Sequence, residues 1–336
     1  MVSLLRLIDA QGHPNIGPLW QLAKDIEGIK LNLKAFGYDL ARRLLAARPP
    51  KRLEKPLTVS LTSKACTQAD MESDWVAWWC GELSIAPIYH RKIWEYCYVL
   101  QVLHEHGCLS AGLRGLGFGC GREPIPSYLA AIGCHVTMTD LAPDAAAEKG
   151  WVRTHQHASS LEKGHHAHLV PRERFLQHVS LQHVDMNAIP DSLSGYDFCW
   201  SLCSLEHLGS IRQGLDFIEN SLATLRPGGL AVHTTEFNFL NDTETIDNWV
   251  TVLFQKQHFR QLAERLSAQG HKVAPLDFDV GNGPMDRFID LPPFDHDLEH
   301  IAPAWARDSQ HLKLLLDGFA STCFGLIITK ASDTAP

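Results

Sequence analysis

Three glycines at alternate positions, Gly117, Gly119 and Gly121, lie between an apolar stretch over residues 113–118 and a helical stretch over 125–132 that opens near Pro124. Glycine adopts backbone angles closed to other residues and lets the chain pass close to a neighbouring group. A helix start, in turn, offers backbone N–H groups that have no partner within the helix. Strand, glycine turn and helix in that order restrict this region to an open α/β sheet whose crevice receives a ligand at the carboxyl end of a strand. The turn alone is weak. It gains weight from Asp140, 23 residues after Gly117 and at the end of the next apolar stretch, where a carboxylate can accept both ribose hydroxyls of a nucleotide.

The remaining pattern extends the same architecture. Strands are expected over 135–140, 179–184, 196–201 and 230–235, and a helix over 211–225 carries Leu215, Ile218, Leu222 and Leu225 on one face. A helix over 254–269 precedes an extended stretch at 271–278, and 323–329 closes the chain as a last strand. Alternating strands and helices at these spacings predict an α/β fold, Rossmann-like, with a seven-stranded, mostly parallel sheet flanked by helices. Upstream, residues 1–56 mix short amphipathic patterns with breakers and end on Pro49-Pro50, and 66–105 reads as helices rich in tryptophan and tyrosine. This divides the chain into a mostly helical N-terminal cap, 1–105, and a Rossmann-like domain, 106–336.

Composition limits the partners. Lys and Arg number 30 against 38 Asp and Glu, a formal net charge of −8, which argues against a nucleic-acid-binding face. No apolar run nears the roughly 18 residues that span a bilayer. The N-terminus reaches Asp9 before any signal-like apolar region develops, so a cytoplasmic location without membrane contact is expected. Nine cysteines without a C-x-x-C pair read as buried thiols rather than a disulfide frame or zinc ribbon. Seven of the 19 histidines gather between His155 and His183, without the repeated spacing of a ligand set.

The glycine spacing departs from the G-x-G-x-x-G of dinucleotide sites and resembles motif I of the class I S-adenosylmethionine-dependent methyltransferases. Further motifs follow in that family's order. Asp140 matches its acidic residue at the end of strand two, and Val184-Asp185-Met186-Asn187 the position that meets adenine. Tyr196 to Ser201 followed by Leu205-Glu206-His207 is similar to strand four and its loop, and Leu225-Arg226-Pro227-Gly228-Gly229-Leu230 to the turn entering strand five. The resemblance implies S-adenosylmethionine as donor and S-adenosylhomocysteine as product. It implies binding by Gly117, Gly119, Gly121, Glu123, Asp140, Asp185, Met186 and Ser201. The acid that the family carries two positions before its first glycine is Gly115 here. Glu123 is the local carboxylate that could replace it, or a residue that merely favours its helix start.

Methyl transfer needs donor and acceptor in line and, in most cases, removal of a proton from the nucleophile. His207, after strand four, and His233 and Glu236, at the end of strand five, are the catalytic candidates, with Asn238 beside them. Gln68, His90, Lys92 and Glu95 in the N-terminal segment are further contacts. Some relatives bind a divalent metal through E-x-x-E-H in the strand-four loop. Here Cys203 stands in the first position, so no metal is expected. The acceptor expected is a small polar molecule, a hydroxyl on a sugar-like or secondary-metabolite scaffold, and a homo-oligomer stays open. The alternatives are a nicotinamide-dependent oxidoreductase, which the glycine spacing and the Pro-Gly-Gly turn count against, and a silent nucleotide-binding scaffold.

Overall fold

Six of the longer strands and most of the helices lie where the apolar periodicities put them, in a computed structural model that describes residues 8–49, 53–148, 157–294 and 309–332. The chain begins with α1 (Ile16–Ala46), then β1 (Ser63–Lys64), α2 (Gln68–Met71), α3 (Asp74–Glu82) and α4 (Arg91–Glu105). The glycine turn joins β2 (Arg114–Phe118) to α5 (Ile125–Ala131). Next come β3 (His135–Asp140), α6 (Pro143–Glu148), α7 (Arg172–His178), β4 (Val179–His183), β5 (Tyr196–Leu202), α8 (Ile211–Ser221) and β6 (Leu225–Asn238). The C-terminal part adds α9 (Lys256–Ala268), β7 (Lys272–Val273), β8 (Leu276–Asp277), α10 (Pro284–Arg287), β9 (Ile289–Asp290), β10 (Lys313–Leu316) and β11 (Phe319–Thr329).

The main sheet has nine strands in the order β4-β3-β2-β5-β6-β11-β10-β9, with β7 paired to β11. From β4 to β6 every pairing is parallel, and β11 runs antiparallel to both β6 and β10. The expected strands appear as β4, β3, β2, β5, β6 and β11, and the extended stretch expected at 271–278 holds only two-residue β7 and β8. β9 and β10 are unexpected; they are two and four residues long, too short to leave a periodic signal. Chain order reverses direction between β3-β2 and β5-β6, so the carboxyl ends of β2 and β5 flank a crevice.

Parallel strands need cover on both faces. On one face α4 contributes Trp94, Cys97, Tyr98 and Leu100 to a core shared with α3, α5 and α7, and on the other α8 and α9 pack Phe217, Ile218, Phe259 and Leu262. The buried aromatics are polar at one end, and those ends are paired. Trp94 Nε1 donates to Asp70 (3.0 Å), Trp79 Nε1 to Gln101 (2.7 Å) and the Tyr98 hydroxyl to the Thr62 carbonyl (2.8 Å).

Two expectations change. The breakers in the first 56 residues do not break α1, a 31-residue helix. Pro18 falls in its first turn, where a missing N–H costs nothing, and Gly37 is where the Phe288 ring presses on the helix. Nor is the segment before residue 106 a separate cap. β1 pairs with β8, the Cys66 N–H donates to the Cys323 carbonyl, and α4 lies on β11 and β6. The apolar stripe on α4 is the cover that one sheet face requires, and the sequence gives no sign of which surface such a stripe will meet. No helix among the described residues is long and apolar enough to cross a membrane.

α4 lies against β11 where the Tyr98 ring covers Gly325, and any Cβ there would overlap the ring. Gly325→Ala should therefore lower unfolding stability by about 1–3 kcal/mol through overpacking, read as a reduced urea midpoint with unchanged slope. An unaltered midpoint would show that the ring moves aside freely.

Candidate functional site

At the end of β2 the backbone turns through Gly119 (φ +60°) and Gly121 (φ +52°), both left-handed positions that favour glycine. Gly119 also faces the β5 loop, and a Cβ on it would stand 2.8 Å from Ser204 Cβ and 3.6 Å from Met186 Sδ. Gly117 is different. It lies inside β2, and a Cβ there would run into Cys120 Sγ and the Trp200 ring, so it is a packing glycine and the turn begins at Gly119.

Asp140 closes the turn from the neighbouring strand. Its carboxylate accepts the N–H groups of Gly121 (3.2 Å), Leu141 (2.8 Å) and Ala158 (2.9 Å). A carboxylate offers about four acceptor positions, so roughly one remains for a ligand hydroxyl, not the two that both ribose hydroxyls would need. Asp185 is exposed and accepts the Asn187 N–H (2.9 Å), while Met186 is buried against the turn. Glu123 points inward. Its Oε1 accepts Trp200 Nε1 at 2.5 Å, and burial pushes its carboxyl up to about 8.

A polar layer separates the start of α4 from the carboxyl ends of β5 and β6. Arg91 pairs with Glu236, and Lys92 Nζ lies 3.1 Å from Glu95. Glu95 also accepts the Thr234 hydroxyl (2.7 Å) and the Cys323 thiol (3.1 Å), and Ser321 donates to Glu236 (2.6 Å). Burial acts to raise Glu95, but Lys92, Arg91 and these donors together hold it below its ordinary value. Glu206 accepts the Thr235 hydroxyl (3.1 Å) on one oxygen and has no hydrogen-bond partner on the other. Burial, reinforced by the Glu236 carboxylate, pushes it above the carboxylate range. Glu95, Cys203 and Cys323, and likewise Cys203, Glu206 and Glu236, bring potential metal-ligating atoms within 4.8 Å of one another. Arg91 and Lys92 already supply positive charge to this layer, so its residues suit a self-neutralising polar cluster better than a hard cation.

His207 borders this layer on the β5 loop. Its Nδ1 lies 2.9 Å from the Val250 carbonyl and 3.1 Å from the Thr251 hydroxyl. Donation to the carbonyl fixes the tautomer that keeps the lone pair on Nε2. Desolvation lowers its pKa to about 4, so the ring is neutral at ordinary pH. Thr251 in turn lines a cleft of about 150 Å³ with Ile246, Leu253, Phe294 and Leu315.

His233 is placed elsewhere. It is fully buried with Ser201 on Nδ1 (2.8 Å) and Ser221 on Nε2 (3.1 Å), and its ring packs edge-on to Phe217 beneath α8. Strand alternation turns it and Ser201 away from the crevice that Glu236 faces; both are core residues. Asn238 bonds the 244–245 loop, and Gln68 is tied to Glu72 and Met285. His90 caps α4 through the Lys92 N–H and stacks on His311. The histidine-rich segment is bound to the backbone. His157, His165, His166 and His168 each contact a main-chain carbonyl at 2.7–3.3 Å; His155 lies outside the described residues.

Arg91, Ser321 and Cys323 belong to the polar layer and have no motif of their own. Arg91 and Lys92 did leave one signal, two cations in the first turn of a helix, where the dipole opposes them and carboxylates are needed nearby.

A family model described as a methyltransferase domain matches residues 89–275, more than half of the chain. No curated protein matches it. Among solved structures it is similar to an S-adenosylmethionine-dependent methyltransferase from Mesorhizobium loti, at 12% identity over 68% of this chain and 96% of that one (TM-score 0.39). It is also similar to magnesium protoporphyrin IX methyltransferase from Synechocystis PCC 6803 with bound SAH, at 12% identity over 70% and 81% (TM-score 0.40). A third likeness is to a putative sarcosine dimethylglycine methyltransferase from Galdieria sulphuraria, at 14% identity over 71% and 84% (TM-score 0.40).

Glu123 yields a pH prediction. Its folded pKa, about 8, exceeds its ordinary 4.5, so the fold favours the protonated form. The stabilisation is complete below the ordinary value and is lost as pH rises through about 8. Glu123→Gln keeps an acceptor for Trp200 but cannot ionise. It should gain about 4 kcal/mol on the wild type between roughly pH 5 and pH 9, measured by denaturant titration. A constant difference would place the Glu123 carboxyl in its ordinary range.

Proposed function

We propose, from the premise that this chain belongs to the methyltransferase-domain family and is an S-adenosylmethionine-dependent methyltransferase, that it methylates a hydroxyl of a small polar acceptor held beside His207. Family membership sets aside the nicotinamide alternative. Bound S-adenosylmethionine supplies an electrophilic methyl group. The glycine turn fits such a donor, because Gly119 and Gly121 take left-handed angles at the carboxyl end of β2 and Gly119 has no room for a side chain beside Ser204, so the backbone itself faces the crevice. In this reading Gly119 and Gly121 let the backbone approach the donor, Asp140 accepts one ribose hydroxyl, and Asp185 and Met186 border the adenine.

The observation that carries the acceptor reading is the anchoring of His207. A neutral imidazole held by the Val250 carbonyl and the Thr251 hydroxyl beside the cleft is the kind of group that takes a proton or hydrogen bond from a hydroxyl nucleophile. The adjoining 150 Å³ cleft is largely apolar, which suits a small ring. Glu236, held by Arg91 and Ser321, orients the acceptor through a hydrogen bond. A polar layer in which Arg91 and Lys92 balance two carboxylates and Glu206 is held toward its protonated form favours a neutral acceptor over an ionic one.

The test is turnover of labelled donor against a panel of hydroxylated metabolites, with RNA and protein as comparison acceptors. Once an acceptor is found, His207→Ala and Glu236→Ala should each lower kcat by about 10²-fold while leaving donor affinity unchanged. Wild-type turnover in both would leave proximity and orientation as the mechanism. Calorimetry separates the donor side: Gly119→Val should abolish binding, and Asp140→Ala should weaken it by about 1–3 kcal/mol. Intact donor affinity in both folded variants would overturn the donor assignment. EDTA should leave activity unchanged, because Arg91 and Lys92 already occupy the cationic role. Loss of activity restored by added Mg²⁺ would overturn that.

A further inference from the structure

α1 is held to the body along only one face. Lys34 and Tyr38, both buried, bond Asp290 at 2.8 and 2.9 Å, and Gly37 and Ala41 are buried beside them. A neighbouring face, about 100° round the helix, carries a second apolar stripe that no described residue covers. Leu19, Ile26, Leu33 and Leu40 recur at intervals of seven, 37–44% exposed, and Leu22, Ile29 and Phe36 recur three residues after the first three of them. Ile29 and Phe36 are 64% and 74% exposed. These are the a and d positions of three heptads in a helix that runs on past Leu40, a seam about 32 Å long at 1.5 Å per residue.

A repeat of seven, as distinct from a broad apolar face, is what packing against another helix demands. The flanks are not those of a membrane-surface helix, since Lys24, Lys30, Arg42 and Arg43 are interspersed with Asp25, Glu27 and Asp39, with no basic face. Charge selects the partner. Asp25 falls at g and Lys30 at the e position of the next heptad, the two positions that meet across a parallel two-stranded coil. In a symmetric pair each Asp25 meets the other copy's Lys30, twice over. An antiparallel pairing would set g against g and bring Asp25 toward Asp39.

We infer that this seam is the interface between two copies of the chain, joined through α1 as a parallel two-stranded coiled coil. The interface lies beside the face of α1 that the body covers and does not depend on the proposed acceptor.

Sedimentation velocity of the full chain should give a species of twice the chain mass. Ile29→Asp combined with Phe36→Asp should give a monomer with the wild-type far-ultraviolet spectrum and thermal midpoint, since both side chains are exposed. Asp25→Lys and Lys30→Asp should each raise the dimer dissociation constant by about fivefold, because two like-charge contacts replace two opposite-charge ones. An equimolar mixture of the two should regain wild-type affinity as a heterodimer. A monomeric or tetrameric wild type overturns the inference, as does a dimer that survives the double aspartate substitution. A wild-type monomer that co-sediments with phosphatidylserine vesicles would assign the seam to a membrane instead. A mixture no tighter than its components would overturn the parallel orientation.

Discussion

A charge taken out of water must meet an opposite charge or give up its ionisation, and this requirement governs the layer where α4 meets the sheet. Glu95, Glu206 and Glu236 are buried there, and Arg91 and Lys92 reach in from the helix start. Each cation takes one carboxylate. The third, Glu206, is left with one oxygen unpartnered, and burial drives it toward the protonated form. The layer is thus neutral with a single proton, at the carboxyl edge of the sheet where an α/β fold does its chemistry.

The position of α4 follows from the same contacts. Its apolar side covers the sheet through Trp94, Tyr98 and Leu100, and its polar start supplies the cations. One helix serves as core and as site wall, so the segment before residue 106 cannot be lifted off without stripping a sheet face. The Tyr98 ring over Gly325 and the ion pairs at Arg91 and Lys92 fix that helix along its length.

Across the crevice, the proposed donor side is built from backbone. Gly119 and Gly121 take left-handed angles, and Asp140 ties the turn to loop residues 141 and 158 through main-chain N–H groups. A turn held by backbone bonds is already shaped before a ligand arrives, which lowers the ordering cost of binding. The proposed acceptor side is built from side chains on the β5 and β6 ends. It is where members of a family sharing one sheet can differ.

The sequence by itself determined the strands from β2 to β6, the glycine turn, the acid at the end of β3 and the Pro-Gly-Gly turn. All of these are written in residues a few positions apart, through period and backbone preference. It also placed His233 and Glu236 on opposite faces, since alternation is local. Only the tertiary structure decided what each face meets. His233 met Ser201, Ser221 and a helix and became core; Glu236 met Arg91 and Ser321, 145 and 85 residues away in sequence, and became part of the site. Lys34 is buried against Asp290, 256 residues later. Such pairings leave no local pattern. They depend on which surfaces the chain brings together, and that is settled by the burial of whole faces rather than by any neighbouring residue.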